Sequence, residues 1–284
     1  MKVNNAMQIK ALVAIISLFT ACGTGARQKN LRLSDVHYRL GEDYLGKKMP
    51  DSAKTELVRA IKYREENADA HGLLGVIYFF EGMHALDYGQ RQLCLRGNSK
   101  KQQNAVADEN FKLARKHIQW AISIDSEQTN TWSERKNYLA NIALHFGNYG
   151  LARKLATEAL DNLLYVNRTL ALNIRGQASF KSGNFARAER DFRQAVFHQP
   201  TNCSARYWMG RTLYKTGRIR SGVSEWQQIS KDSQCPLQEL DLDLGRALLR
   251  VGDRDNAILR FKKCLETSPN SCKSDECRRA LAGL

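Results

Sequence analysis

Proline is scarce in this chain, with four in 284 residues, and charges are spread along its whole length. That pattern excludes a loop-rich β fold and favours helices, which proline would interrupt. Long apolar runs are missing too. Ala11 to Phe19 is an apolar run of nine, well short of the about 20 residues that a spanning helix needs. The recurring signatures of chemistry are absent as well. There is no glycine-rich phosphate loop, no GxSxG, no HExxH, no CxxC and no cysteine–histidine pair placed as a nucleophile, and the six histidines are scattered singly. These absences exclude the common hydrolase, phosphate-loop and zinc-site classes. No catalytic residue, metal or cofactor is expected. What remains is a chain with 43% hydrophobic residues, enough to bury a substantial core.

The N-terminus reads as a targeting segment. Lys2 and Lys10 make its start positive, and the apolar run ends in Leu18-Phe19-Thr20-Ala21-Cys22-Gly23. This resembles a bacterial lipobox, in which small residues precede a cysteine that is lipidated and becomes the new N-terminus. Residues 1–21 are then a signal peptide and Cys22 the lipid attachment site; the alternative is an ordinary signal peptide cut near Ala21. Gly23, in place of Asp, is compatible with sorting to the outer membrane, where the protein would face the periplasm. Removing residues 1–21 takes away Lys2 and Lys10 and no acid, so the net charge falls from +15 to +13. In an exported protein that charge suits acidic lipid surfaces or an acidic protein partner; no nucleic acid is expected as a partner. Residues 22–33 are polar and basic and read as a tether.

Beyond the tether a skeleton recurs. Gly176, Gly183, Ala188, Phe192 and Pro200 return as Gly210, Gly217, Gly222 and Trp226, and again as Gly245, Gly252, Ala257, Phe261 and Pro269. The steps from Gly176 to Gly210 and from Gly210 to Gly245 are 34 and 35 residues. A small residue at position 8, Gly near 15, Ala at 20, an aromatic at 24 and Pro at 32 is the tetratricopeptide pattern. It predicts an all-α, right-handed superhelix of about six helix pairs with a C-terminal capping helix, spanning residues 34–284. The repeats lie near 34–67, 68–83 plus 111–132, 133–168, 169–202, 203–237 and 238–271, with the cap at 272–284. Residues 84–110 interrupt the second repeat; they are expected as two lengthened helices with a loop at their tip. Ser274 or Asp275 is the expected cap of the last helix. Gly222 and Arg254 depart from the pattern and are expected to weaken packing locally.

Six cysteines follow Cys22, an even number that suits disulfides in an oxidising compartment. Cys203 and Cys235 open successive repeats, which brings their backbones near bridging distance. Cys264 ends the last repeat and can clip the cap through Cys272 or Cys277. Two disulfides are expected in the C-terminal third, and Cys94 is left without a role.

In a superhelix of this kind the first helix of each repeat lines a concave groove. Its positions 9 and 13 read Glu42, Val76, Asn141, Gln177, Arg211, Arg246 and Gly46, Phe80, His145, Lys181, Lys215, Arg250. The groove therefore grades from apolar, through the amides Asn137, Asn141, Asn173 and Gln177, to a basic end at Arg211, Lys215, Arg246 and Arg250. The amides can hold the backbone of a bound segment, Phe180 and Tyr207 can fill pockets, and the basic end would draw an acidic flank. Asn141 and Asn173 are both expected to be exposed.

Asn137-Tyr138-Leu139, the turn at Gly147-Asn148-Tyr149, the stretch Thr157 to Tyr165 and Asn173-Ile174-Arg175-Gly176 carry a closer likeness. Over roughly 130–235 the chain resembles the type IV pilus pilotin family of Tgl/PilF/PilW type, repeat lipoproteins of the outer membrane. The resemblance implies a non-catalytic assembly factor that holds secretin subunits at the membrane until their multimer is stable. The partners would be secretin subunits, and the membrane through the lipid anchor. The rival on the same scaffold is an envelope adaptor that recruits cell-wall hydrolases.

Overall fold

The computed structural model describes residues 27–87, 94–125, 129–230, 235, 237–267 and 269–284. The expected signal peptide and Cys22 lie outside them. Thirteen helices and no strand occur among the described residues. The first, α1, covers 27–46. It is followed by α2 (Pro50–Tyr63), α3 (Ala68–Asp87), α4 (Gly97–Ile124), α5 (Asn130–His145) and α6 (Tyr149–Asp161). Then come α7 (Arg168–Lys181), α8 (Phe185–His198), α9 (Cys203–Lys215) and α10 (Ile219–Ser230), and last α11 (Gln238–Arg250), α12 (Arg254–Thr267) and α13 (Cys272–Ala282).

Each odd helix pairs antiparallel with the even helix that follows, and the cause is visible in the recurring residues. A Cβ added to Gly176 would meet the Phe192 ring at 2.6 Å, and one at Gly245 would meet Phe261 at 2.5 Å. The glycine thus makes room for the aromatic that seals its hairpin; Phe192 and Phe261 are fully buried. Gly147, Gly183, Gly217 and Gly252 sit at positive φ in the hairpin turns, a conformation that costs glycine nothing. Asn148 and Asn184 then cap the helices that follow, accepting from Leu151 N and Arg187 N.

Gly222 is not the weak point that its departure from alanine suggests. A Cβ there would stand 2.9 Å from the Gly210 carbonyl oxygen, so a second glycine lets α9 and α10 approach while Trp226 fills the seam. The fully buried Trp226 ring donates to the Tyr207 carbonyl at 2.9 Å.

Neighbouring odd helices touch across repeats (α3 on α5, α5 on α7, α7 on α9, α11 on α13), whereas among the described residues no even helix packs on another to that extent. Crowding of the odd helices makes theirs the inner face of the curve. The expected tether is shortened by the structure, because residues 27–33 already belong to α1. No glycine or proline interrupts 27–40, and Ser34 anchors the helix by donating to Ala60 O at 2.9 Å while accepting from Asn67 at 2.9 Å. The cap of α13 is Ser271, one turn earlier than expected; its side chain accepts from Ser274 N.

The second repeat departs most from the period. Helices α3 and α4 run to 20 and 28 residues and form an arm longer than the helix pairs that follow. Along the arm a Cβ on Gly75 would strike Ile118 at 2.6 Å and one on Gly82 would strike Phe111 at 2.9 Å, so the longer pair keeps the same glycine-seated packing. At its tip Cys94 is disulfide-bonded to Cys272 at the start of α13, 178 residues away. Cys94 N donates to Asn270 O at 3.0 Å, and Arg96 pairs with Asp275 at 2.7 Å. The arm and the far end of the superhelix are therefore joined.

Candidate partner-binding groove

Asn141 on α5 and Asn173 and Gln177 on α7 come together, as the spacing predicts. Asn173 and Gln177 lie one helical turn apart and therefore share a face. With Asn202 and Ser204 from the start of α9 they line a cavity of about 530 Å³. Asn141 and Gln177 are partly exposed. Asn173 is not: it is 6% exposed, and its amide nitrogen donates to Ser204 Oγ at 2.8 Å. Its Oδ1 is buried with no hydrogen-bond partner among the described residues. The same holds for Asn137 Oδ1; what Asn141, Gln177, Gln199 and Asn202 offer the cavity is a set of side-chain amides with both donors and acceptors.

Asn137 does not belong to this group. It is 2% exposed, and its amide donates to the Tyr165 hydroxyl. Tyr165 is itself buried and comes from the loop that opens the next repeat. The next repeat covers the asparagine, so it packs and does not recognise. Asn202, Ser204 and Gln199 line the cavity and were not anticipated; they belong to an inter-repeat loop and the first turn of a helix, outside the positions that a groove is read from.

The basic end is more neutral than its residue types suggest. Arg211 lies over the Trp208 ring at 4.9 Å, with Phe180 and Tyr207 at 5.5 and 5.8 Å, and it pairs with Asp243 at 3.5 Å. Tyr207 is buried and donates to the same carboxylate at 2.8 Å, so it does not offer a pocket-filling ring. Burial, with the Asp243 charge beside it, pushes its hydroxyl pKa well up. Arg246 pairs with Glu276 at 3.0 Å. Burial alone would raise the Glu276 pKa, but hydrogen bonds from Lys273 and Arg246 hold it below the usual range. Arg250 stacks on Tyr214 at 5.3 Å. Lys215 is exposed and makes no ion pair with any described residue. Arg211, Lys215 and Arg246 share a cavity of about 270 Å³ with Asp243 and Tyr214.

At the other end the groove is apolar. Val76 and Phe80, at the groove positions of α3, join Leu45, Met83 and Val106 around a cavity of about 960 Å³. Phe80 and Met83 are exposed. Val106 reaches the cavity because the arm extends α4, which the repeat period alone does not predict.

The cysteines pair as Cys203–Cys235 (Cα–Cα 5.7 Å), Cys264–Cys277 (6.4 Å) and Cys94–Cys272 (4.5 Å). The first is the bridge that the repeat register predicts. For Cys264 the register left two partners; the structure takes Cys277, one helical turn into α13, because Cys272 faces the arm.

Residues 175–231 match the tetratricopeptide repeat family. Among solved structures, PilF of Pseudomonas aeruginosa superposes with a TM-score of 0.62 over 89% of this chain and 99% of that one, at 19% identity. PilW, described as a widely conserved type IV pilus biogenesis factor, gives 0.63 over 84% and 96%, at 17% identity. The Cut9–Hcn1 hetero-tetramer of APC/C gives 0.65 over 91% of this chain and 47% of that one, at 16% identity. At these identities the likeness fixes the architecture, which is that of a tetratricopeptide-repeat superhelix.

Proposed function

We propose that this chain is a lipid-anchored outer-membrane assembly factor for a type IV pilus secretin, acting by binding and not by turnover. The observation that carries the reading is the inner-face cavity of about 530 Å³ lined by the amides of Asn141, Gln177, Gln199 and Asn202, which offer both donors and acceptors. Such a site takes a polypeptide backbone. The apolar cavity around Phe80 gives the same segment a place for large side chains, and Lys215 and Arg250 at the other end favour an acidic flank. The likeness to PilF and PilW over nearly their whole lengths supports the pilus setting. The lipobox ending in Cys22 supports attachment at the periplasmic face of the outer membrane.

The mechanism is a clasp: the groove holds one secretin segment in extended or helical form while other copies assemble. Asn141→Ala combined with Gln177→Ala tests it, since both side chains are partly exposed and neither closes a buried contact. The expected result is loss of secretin multimers in envelopes while the variant stays folded and at normal abundance. Multimers that persist in a complete deletion strain overturn the reading.

A further inference from the structure

The edge of the stack where each inner helix begins carries a row of exposed apolar side chains. Leu163, Leu164 and Val166 are 87%, 82% and 74% exposed, and Phe197, at the end of α8, is 80% exposed. Tyr63 and Trp120, near the ends of α2 and α4, continue the row and are also exposed. All belong to the last turn of an even helix or to the loop that follows it, so antiparallel pairing puts them along one edge.

The loop at 162–167 is built and not slack. Asn162 is buried; its amide donates to Thr129 O at 3.1 Å and Ser133 Oγ at 2.9 Å, and its Oδ1 accepts from Leu164 N at 3.0 Å. Tyr165 is buried against Asn137. Val166 N donates to Asn130 Oδ1 at 3.1 Å, and Arg168 closes the loop on Leu160 O and Asn162 O at 2.9 and 3.1 Å. A braced loop that turns two leucines and a valine outward has apolar surface to spare for something else.

We propose that this edge lies on the lipid bilayer, with Leu163, Leu164, Val166 and Phe197 entering the interface. Helix α1 is an inner helix, so its start at residue 27 is on the same edge. Cys22 lies five residues earlier, which limits the reach from a lipidated Cys22 to about 18 Å. The anchor thus holds this edge, and not the opposite one, against the membrane. Trp120 adds a second support: it stands beside a cavity of about 450 Å³ lined by Lys112, Arg115 and Lys116. An indole among exposed bases matches the headgroup layer, where amphipathic rings concentrate and acidic lipids attract cations. The mature charge of +13 acts in the same direction. Two short signals together, one acyl anchor and one apolar edge, hold a surface more firmly than either alone.

The inference rests on the lipid anchor of the proposed function, and its test keeps the two apart. The processed full-length protein is reconstituted in phosphatidylethanolamine–phosphatidylglycerol vesicles whose acyl chains carry bromine, which quenches tryptophan. Leu164→Trp places a reporter on the edge; Leu151→Trp, in the first turn of α6, places one on the opposite edge. Taken as the difference from the native protein in the same vesicles, the emission added by Leu164→Trp should fall by at least half, and that added by Leu151→Trp should be unchanged. Equal quenching of the two, or none, overturns the proposal. So does shielding of Leu164→Trp that requires added secretin subunits, which would make the edge a protein interface. Intact mass reads acylation of Cys22 separately. A chain without the lipid that still shows selective quenching keeps the membrane edge and ends the anchor.

Discussion

Severing the bond between the arm and the cap is the most informative perturbation of this fold. The double variant Cys94→Ser, Cys272→Ser leaves both helices intact, because each cysteine lies at a helix boundary and is partly exposed. The bond closes a loop with a sequence separation of 178, for which the chain-entropy account gives about 5 kcal/mol at 25 °C. The Cys203–Cys235 bridge inside that loop spans 32 residues, and removing them from the free length changes the closure cost by only ~0.2 kcal/mol. Among the described residues, one backbone hydrogen bond and the exposed Arg96–Asp275 pair also join the arm to the C-terminal end, together worth about 1–2 kcal/mol. Those contacts are present with or without the bond and do not offset its entropy, so the expected loss on urea unfolding is about 3–5 kcal/mol, within the range known for disulfides. Repeats otherwise contact only their neighbours, so the two halves should also uncouple. Trp226 reports the C-terminal half, and Trp120 and Trp132 the N-terminal half; their transitions should coincide in the native protein and separate in the variant. Coincident transitions within about 0.5 kcal/mol of the native protein would refute the reasoning, as would free thiols at Cys94 and Cys272 in oxidised native protein.

Three further outcomes follow from the packing and the charges. Gly210→Ala would set a methyl 2.3 Å from Trp226 Nε1; it should cost about 1–3 kcal/mol in denaturant unfolding, with the red shift of an exposed indole. Arg175→Ala strands Asp191, 4% exposed and bound by the guanidinium at 2.8 Å, and should destabilise by about 3–5 kcal/mol, visible as a drop in melting temperature. His117 packs against His71 (Nδ1–Nδ1 2.9 Å), and burial, with the neighbouring His71 and Lys116, lowers its pKa to about 4. Because an unfolded histidine titrates near 6.5, the unfolded chain binds more protons between those values. Stability should be flat above about pH 6.5 and fall by ~1–2 kcal/mol toward pH 4, after discount for the partial exposure of the ring. His117→Asn should flatten that slope, and a slope that survives the substitution would assign it elsewhere.

The helix pairs were legible because their determinants are local. Gly176 and Phe192, or Gly245 and Phe261, lie 16 residues apart within one hairpin, so the partner of each small residue is carried at a fixed offset. The Cys203–Cys235 bridge was legible for the same reason, since it links one repeat start to the next. The state of each polar inner-face residue was not, because it depends on what the following repeat lays over it. Asn137 looks like a groove amide until Tyr165 arrives from the next loop, and Tyr207 looks like a pocket ring until Asp243, 36 residues on, accepts its hydrogen bond. Position within a repeat says where a side chain points; only the neighbour decides whether it stays open.

The irregularities of the chain account for one another in a way that its period does not. An insertion in the second repeat has no function in a sum of nearest-neighbour contacts, and neither does a cysteine on a polar cap. Joined as Cys94 and Cys272, they turn an open superhelix into one whose two ends are tied, with the apolar cavity at the root of the arm and the amide cavity further along the inner face. A solenoid relaxes by small rotations between repeats, and a tie across five of them suppresses the sum of those rotations. If the groove binds as proposed, a tie that holds it at one curvature would lower the ordering cost of binding. The arm would thus be coupled to the groove mechanically, through the contacts of Cys94 and Arg96 with the C-terminal end.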